Sequence, residues 1–166
     1  MGLDLILQIK SKQVCEIAND NADGQTIVSG NLKSINELQI ILKEKKKKSI
    51  LLPVSAPFHC SLMKAAADKM EEKINSTFFQ DPDYDIVTNV TAKPEKNSSI
   101  IKKLLVQQIY TKVRWRETIT YMKKNNINEF IEIGPGKVLS GLVKRITKDA
   151  LSISLNSIED IKNITK

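Results

Sequence analysis

The sequence predicts an α/β fold. Strand-like segments alternate along the chain with amphipathic segments of ten or more residues, and turns rich in Gly, Pro, Asn and Asp separate them. The 166 residues suffice for one domain and a small additional piece, and a hydrophobic content of 41% suffices for a core. Because such crossover helices return the chain to the same end of a sheet, we expect much parallel strand pairing.

The first 48 residues predict a hairpin followed by a helix. Before them, residues 3–7 fit either a short amphipathic helix or a strand. Residues 16–30 (EIANDNADGQTIVSG) indicate two short strands around a turn whose Asn, Asp and Gly residues tolerate the left-handed conformation. Ser34 and Glu37 have the spacing of a capping box and predict the start of a helix, which ends in the lysine cluster of residues 43–48.

The central part of the chain predicts a strand, a helix and a second strand. Residues 49–54 (SILLPV) form a short apolar run bounded by polar residues, which is typical of a buried strand. Apolar residues recur at helical spacing over residues 62–76. Residues 85–90 (DIVTNV) are strand-like, and residues 91–97 predict a loop.

The remaining chain continues the alternation and ends in a capped helix. The predicted elements are helix 98–110, helix 114–124, strand 129–133, helix 137–146 and strand 151–155. A tight turn is expected at residues 134–136 (GPG). Ser157 and Asp160 have the spacing that caps a short terminal helix.

The net charge of +7 favours an acidic partner, such as a nucleic acid, a membrane, or an anionic protein or ligand. Nucleic-acid binding usually adds an aromatic platform, but aromatic residues make up only 5% of the chain and none lies near the lysine cluster. A solvated helix end, where lysines complement the helix dipole, is therefore the favoured interpretation of the cluster. No apolar run approaches the ~20 residues that span a bilayer, so neither a nucleic acid nor a membrane is the expected partner.

The cysteines and the start of the chain indicate a cytoplasmic protein. Cys15 and Cys60 are the only cysteines, without the spacing of metal ligands, so we expect reduced thiols, no metal and no cofactor. Residues 1–10 carry no basic leader and no cleavage pattern, so no signal peptide is expected.

His59, the only histidine, is the leading candidate for chemistry. It lies between the predicted strand 49–54 and the helix that follows, and ligands of open α/β sheets bind at the carboxyl ends of strands. Histidine is the natural general base for a hydroxyl or thiol. The alternative is a histidine that merely fills the loop or caps the helix.

Two other features, Cys60 and the segment 134–137, have residue types that occur in catalytic sites. Cys60 follows the histidine, but activation of a thiol needs a spatial neighbour, and a structural cysteine is favoured. The segment 134–137 (GPGK) lacks the glycine and hydroxyl residues that a phosphate loop requires. It could instead be a helix start that faces an anion, or a turn that lets strand and helix pack together, and the packing turn is the favoured interpretation. No G-x-S-x-G segment occurs, so the residues alone provide a base without a nucleophile.

Four segments together resemble the malonyl-CoA:acyl-carrier-protein transacylase family of bacterial fatty acid biosynthesis. They are PVSAPFHCSLM, TNVTA, LLVQQIYTKVRWRETITYM and FIEIGPGKVLSGLVKRI, and ANDNADGQTIVSG is similar to the small subdomain of that family. The resemblance implies an α/β-hydrolase-like acyltransferase domain with a ferredoxin-like small subdomain, truncated here. Residues 1–53 would be the truncated small subdomain and residues 54–166 the carboxyl-terminal part of the large one.

The resemblance also implies an activity and a set of site residues. The family transfers malonyl from coenzyme A to a serine, and then to the phosphopantetheine thiol of the acidic acyl carrier protein. By this resemblance, His59 is the catalytic histidine, and the main-chain carbonyl of Gln108 orients its imidazole. Phe58 resembles the malonyl-selective form of its position, where a bulky ring crowds out an α-methyl branch, and Asn89 is expected to line the pocket.

The resemblance covers residues 13–158 and implies that this chain is a carboxyl-terminal portion. The elbow with the nucleophilic serine, the loop of the oxyanion hole and the arginine that binds the malonyl carboxylate find no counterpart in it. Three hypotheses stay open: a member that is inactive alone, a non-catalytic module that binds the carrier protein, and one half of a split transacylase. We expect the isolated chain to transfer no malonyl group, because loss of a nucleophile typically costs ~10⁶-fold in rate.

Overall fold

The computed structural model describes residues 3–164 of the chain. The helices within them are α1 (Leu3–Ile6), α2 (Leu32–Glu44), α3 (Lys64–Ser76), α4 (Ser98–Gln107), α5 (Trp115–Lys124), α6 (Val138–Ile146) and α7 (Ile158–Ile164), and a 3₁₀ turn, Ser61–Met63, precedes α3. The strands are β1 (Cys15–Ala22), β2 (Gln25–Gly30), β3 (Ile86–Val87), β4 (Pro94–Glu95), β5 (Glu129–Ile133) and β6 (Leu151–Leu155). The alternation of helices and strands confirms the α/β class.

The strands pair in three two-stranded sheets over the described part of the chain. β1 and β2 form the predicted hairpin, in which Gly24 takes the left-handed conformation (φ +73°) that the turn requires. β3 pairs antiparallel with β4, and β5 pairs in parallel with β6 in the register Glu129↔Leu151. The prediction of much parallel pairing is therefore wrong. Within residues 3–164, parallel pairing is confined to β5 with β6 and an isolated bridge between Asn19 and Val113.

Strand β1 joins the hairpin to the rest of the molecule. The N–H of Asp20 donates to the carbonyl of Val113 (2.9 Å), and the N–H of Val113 donates to the carbonyl of Ala18 (2.8 Å). Helices α5 and α6 both pack against β1, and Ile119 of α5 is 1% exposed. The core therefore runs from the hairpin into the carboxyl-terminal helices across the predicted subdomain boundary at residue 53, and that boundary stays a prediction.

The strand predicted at residues 49–54 is wrong. The segment lies outside the regular elements and is exposed throughout, with Ile50 71% and Leu51 59% accessible. A strand needs a neighbour to satisfy its backbone groups, and no strand of residues 3–164 pairs with this segment. Its apolar side chains, which gave the buried-strand pattern, thus face solvent.

The capping box predicted at Ser34 and Glu37 is also wrong. Helix α2 begins at Leu32, so both residues lie inside it. The hydroxyl of Ser34, which is fully buried, lies 2.9 Å from the Ser11 hydroxyl and donates to a carbonyl, while the Glu37 carboxylate accepts from two N–H groups of the loop before β1. These polar side chains attach the loop to the helix. Two residues with the spacing of a capping box therefore make tertiary contacts instead of capping the helix.

The strand predicted at residues 85–90 is shorter than expected. β3 ends at Val87 because the chain turns at Thr88: its carbonyl accepts from the N–H of Ala92 (2.9 Å), and its hydroxyl lies 2.9 Å from that of Thr91. The turn brings residues 94–95, predicted as loop, alongside β3 as β4. The ambiguous segment at residues 3–7 forms the helix α1.

The last third follows the sequence pattern closely. β5 and β6 have the predicted bounds, and the terminal cap is confirmed, since the N–H of Asp160 donates to the Ser157 hydroxyl (3.1 Å) and the N–H of Ser157 donates to the Asp160 carboxylate (2.9 Å). Gly134 and Gly136 form the predicted tight turn with φ of +132° and +100°, in the region that favours glycine.

Candidate active site around His59

His59 lies in the loop that links the exposed segment 49–54 to the 3₁₀ turn before α3. Its Nδ1 atom lies 2.8 Å from the main-chain carbonyl oxygen of Gln108. Gln108 is the C-cap of α4, and its carbonyl is one of the terminal acceptors that a helix cannot satisfy internally. Since a carbonyl only accepts, Nδ1 carries the proton in this contact, and Nε2 keeps its lone pair when the ring is neutral.

The backbone of the loop holds the histidine in an uncommon conformation. His59 has φ +59°, in the left-handed region, and its N–H donates to the carbonyl of Ile109 (3.3 Å). The thiol of Cys60 donates to the carbonyl of Pro57 (3.1 Å) and is completely buried. This thiol stabilises the loop, which favours the structural interpretation of Cys60 over the nucleophilic one.

A small cavity lies between β3 and α4, and Gln108, whose carbonyl contacts His59, is part of its lining. It has a volume of about 130 Å³ and is lined mainly by apolar side chains of β3 and α4, together with Asn89 and Gln108. The Asn89 amide donates to the side-chain oxygen of Gln108 (3.3 Å), and the Asn89 carbonyl accepts from the N–H of Arg114 (3.2 Å). The structure therefore brings His59, Gln108 and Asn89 into one hydrogen-bonded group.

Arg114 supports the loop that carries Asn89, and sequence reasoning missed it. Its guanidinium donates to the carbonyls of Val90 (3.3 Å) and Thr91 (3.4 Å) and pairs with the carboxylate of Glu117, which holds the pKa of that carboxyl below its usual range. The position directly before a helix gave no signal, because an arginine there is equally typical of an exposed surface.

Phe58 precedes the histidine and leaves 47% of its surface exposed. Its ring is thus accessible from solvent. Within the described residues, no hydrogen bond to Nε2 is formed. The arrangement provides an oriented imidazole whose free nitrogen can accept a proton from a hydroxyl or thiol.

Other candidate sites carry less chemistry. The N–H groups of Leu139 and Ser140 at the start of α6 donate to the Glu132 carboxylate (3.1 and 2.8 Å), so these two donors already have an acceptor within the chain. The lysine cluster lies exposed at the end of α2. Residues 3–164 hold no group of three or more His, Cys, Asp or Glu side chains placed to bind a metal ion, and none of their helices is long and apolar enough to cross a membrane.

Comparison with known proteins gives close relatives of one kind. The chain is 38% identical to the malonyl CoA-acyl carrier protein transacylase of Bacillus subtilis, over 98% of this chain and 53% of the relative. Among solved structures, the acyl-carrier-protein S-malonyltransferase of Bartonella henselae superposes with a TM-score of 0.93 at 38% identity, over 98% of this chain and 52% of that one. No family model matches the chain.

A third neighbour is a malonyl-transacylase solved in complex with its type II polyketide-synthase acyl-carrier protein. It superposes with a TM-score of 0.89 at 33% identity, over 96% of this chain and 52% of that one. The chain therefore spans about half the length of the relatives that it matches. The similarity extends over nearly all of this chain, so the resemblance inferred from the sequence is confirmed.

Proposed function

We propose that this homologue of the malonyl CoA-acyl carrier protein transacylases supplies the histidine side of an active site that moves malonyl from coenzyme A to the thiol of acyl carrier protein. The observation that carries the proposal is the 2.8 Å contact of His59 Nδ1 with the Gln108 carbonyl. It fixes the tautomer in which Nε2 is the base. A carbonyl here does the orienting that a carboxylate does in a Ser-His-Asp triad.

The proposed reaction has two proton-balanced stages. In the first, His59 Nε2 takes the proton of a serine hydroxyl as its oxygen attacks the malonyl thioester, and the proton passes to the departing thiolate of coenzyme A. In the second, Nε2 takes the proton of the carrier-protein thiol, the sulfur attacks the serine ester, and the serine oxygen recovers the proton. No described residue presents a hydroxyl to Nε2, so we place the serine outside the described residues.

The exposed apolar surface supports a second polypeptide segment as the source of that serine. Segment 49–54, which leads directly into the His59 loop, exposes most of its side chains, and Ile131 and Ile133 of β5 are 51% and 77% exposed. Apolar surface of this extent is typical of an interface rather than of a free surface. One edge of β5 has no partner strand within residues 3–164. This edge and segment 49–54 therefore fit a further chain segment that continues the sheet, as expected for an α/β-hydrolase-like domain with a truncated ferredoxin-like subdomain.

Two further roles belong to the same proposal. Phe58, exposed beside the imidazole, limits the acyl group to one without an α-methyl branch. Asn89, bonded to the Gln108 side chain, lines the acyl pocket and stabilises the end of α4. Coenzyme A and the acidic carrier protein are the proposed partners, and the exposed lysine cluster provides the positive charge that would attract either.

A reconstitution experiment tests the proposed function. The probe is the part of the Bacillus subtilis relative that this chain does not match, expressed separately and mixed with the chain. The assay follows malonyl transfer from malonyl-CoA to holo-carrier protein. We expect no transfer by the chain alone, transfer by the mixture, and loss of about 10⁴-fold or more with His59→Ala.

A matched variant separates the main-chain role of Gln108 from its side chain. Gln108→Ala keeps the carbonyl that accepts from His59, so its loss of activity is expected to be small beside that of His59→Ala. Undiminished transfer by the His59→Ala mixture would refute the proposed function. Transfer by the chain alone would refute the external serine.

A further inference from the structure

Glu16 is a carboxylate of β1 that reaches the loop of the histidine. One carboxylate oxygen accepts from the N–H of Ser61 (2.9 Å) and the other from the Ser61 hydroxyl (2.5 Å). Ser61 lies two residues after His59 and opens the 3₁₀ turn. Both oxygens of Glu16 are thus committed to one residue of the loop, 45 positions away in the sequence.

The contact satisfies a helix start that lacks its own cap. Cys60 occupies the N-cap position without a side-chain hydrogen bond, because its thiol donates to Pro57 instead. The N–H groups of a first helical turn have no partner within the helix. Glu16 provides an acceptor for the N–H of Ser61 from another element of the fold.

The turn follows directly on the uncommon backbone conformation of His59. The chain passes from the left-handed conformation of His59 (φ +59°) to the extended conformation of Cys60 (φ −138°) and then into the turn at Ser61. A left-handed non-glycine residue persists only where its surroundings hold it. The loop is held on one side by the Ile109 carbonyl and on the other by Glu16.

We propose that Glu16 is a positioning residue for His59, acting through Ser61. Strand β1 is itself fixed by its pairing with β2 and by its hydrogen bonds to Val113, so the carboxylate is presented from a rigid element. The hairpin thereby sets the direction of the imidazole toward Gln108. The relevance of this role to catalysis rests on the proposed function, but the geometry does not.

The test reads the imidazole directly, since His59 is the only histidine and gives one set of ring signals. The ¹⁵N shifts of the two ring nitrogens, at mildly alkaline pH in the full chain, report which nitrogen carries the proton. We expect the Nδ1–H form in the wild type and in Glu16→Gln, which keeps an acceptor oxygen for Ser61 N–H. In Glu16→Ala we expect ring shifts averaged between the two tautomers.

Glu37→Ala is the matched control. Like Glu16, Glu37 accepts two hydrogen bonds from a loop, in its case from the N–H groups of Lys10 and Ser11 at 3.0 Å each, but within residues 3–164 it forms no hydrogen bond with the His59 loop. We expect it to leave the ring shifts unchanged. If Glu16→Ala does not fold, Glu16→Leu, which removes both acceptor oxygens but keeps an aliphatic side chain on β1, takes its place and is expected to shift the signals in the same direction.

The outcomes separate the two proposals. Ring shifts of wild-type value in folded Glu16→Ala or Glu16→Leu overturn the positioning role, as do equal changes in the Glu37→Ala control. In the reconstituted assay, Glu16→Ala is expected to lower kcat by about 10²-fold with little change in KM, because a misplaced base affects the chemical step. Altered ring shifts with no transfer by any mixture support the positioning role and refute the proposed function.

Discussion

Truncation of Ile119 to alanine tests whether the core links the hairpin to the carboxyl-terminal helices. Ile119 of α5 is 1% exposed, and α5 packs against both β1 and α6. The change removes three buried carbons, each contributing about 0.8 kcal/mol of transfer free energy. A cavity that cannot collapse between three elements adds to this loss, and such truncations cost about 2–5 kcal/mol in total. We expect a decrease of about 3–4 kcal/mol in the free energy of unfolding.

Urea unfolding followed by circular dichroism and by the fluorescence of Trp115 measures this decrease. Ile100→Ala on α4 is the control, because Ile100 is 43% exposed and its truncation should cost less than about 1 kcal/mol. Equal costs for the two variants, or a cost below 1 kcal/mol for Ile119→Ala, would refute the burial assigned to α5. The two probes should give coincident transitions if the hairpin and the helices share one core.

Three further predictions follow from individual side chains. Hydrogen bonds from Lys123 and Thr147 lower the pKa of Asp149 to about 2, so the ionised carboxylate stabilises the fold above its ordinary pKa and this stabilisation is lost as the pH falls toward 2. In a plot of melting temperature against pH, Asp149→Asn should therefore reduce the fall on the acid side. An unchanged fall would contradict this role of Asp149. Burial raises the pKa of Cys15 to about 11, so mass spectrometry should find it unalkylated by iodoacetamide at neutral pH while the chain is folded, and alkylated in urea. Leu51→Asp should change the free energy of unfolding by less than about 0.5 kcal/mol because Leu51 is exposed, whereas a buried strand would lose several times more.

The regularity of the carboxyl-terminal third could be predicted from local patterns. Both strands, 129–133 and 151–155, were predicted correctly because a short apolar run specifies each of them locally. The Ser157–Asp160 cap was predicted correctly because the two residues that form it lie three positions apart. Ser34 and Glu37 show the limit of that reasoning. They have the same spacing as a cap, but they bind a loop that lies more than twenty residues earlier.

The candidate site divides in a similar way. His59 could be proposed from its uniqueness and its position between two predicted elements, and Gln108 only from the family resemblance, because a main-chain acceptor has no signature in side-chain identity. Glu16 and Arg114 could not be found, since their partners are reached through the fold.

Amino-acid sequence alone determined the α/β class and the family resemblance and singled out His59 as the candidate base, because these depend on composition, periodicity and short motifs. Only the tertiary structure decided that segment 49–54 stays exposed and that His59 takes the left-handed conformation against Gln108. The physical reason is that a strand, a helix start and an oriented ring each need a hydrogen-bonding partner from elsewhere in the chain. Whether that partner arrives depends on packing between elements rather than on the local sequence.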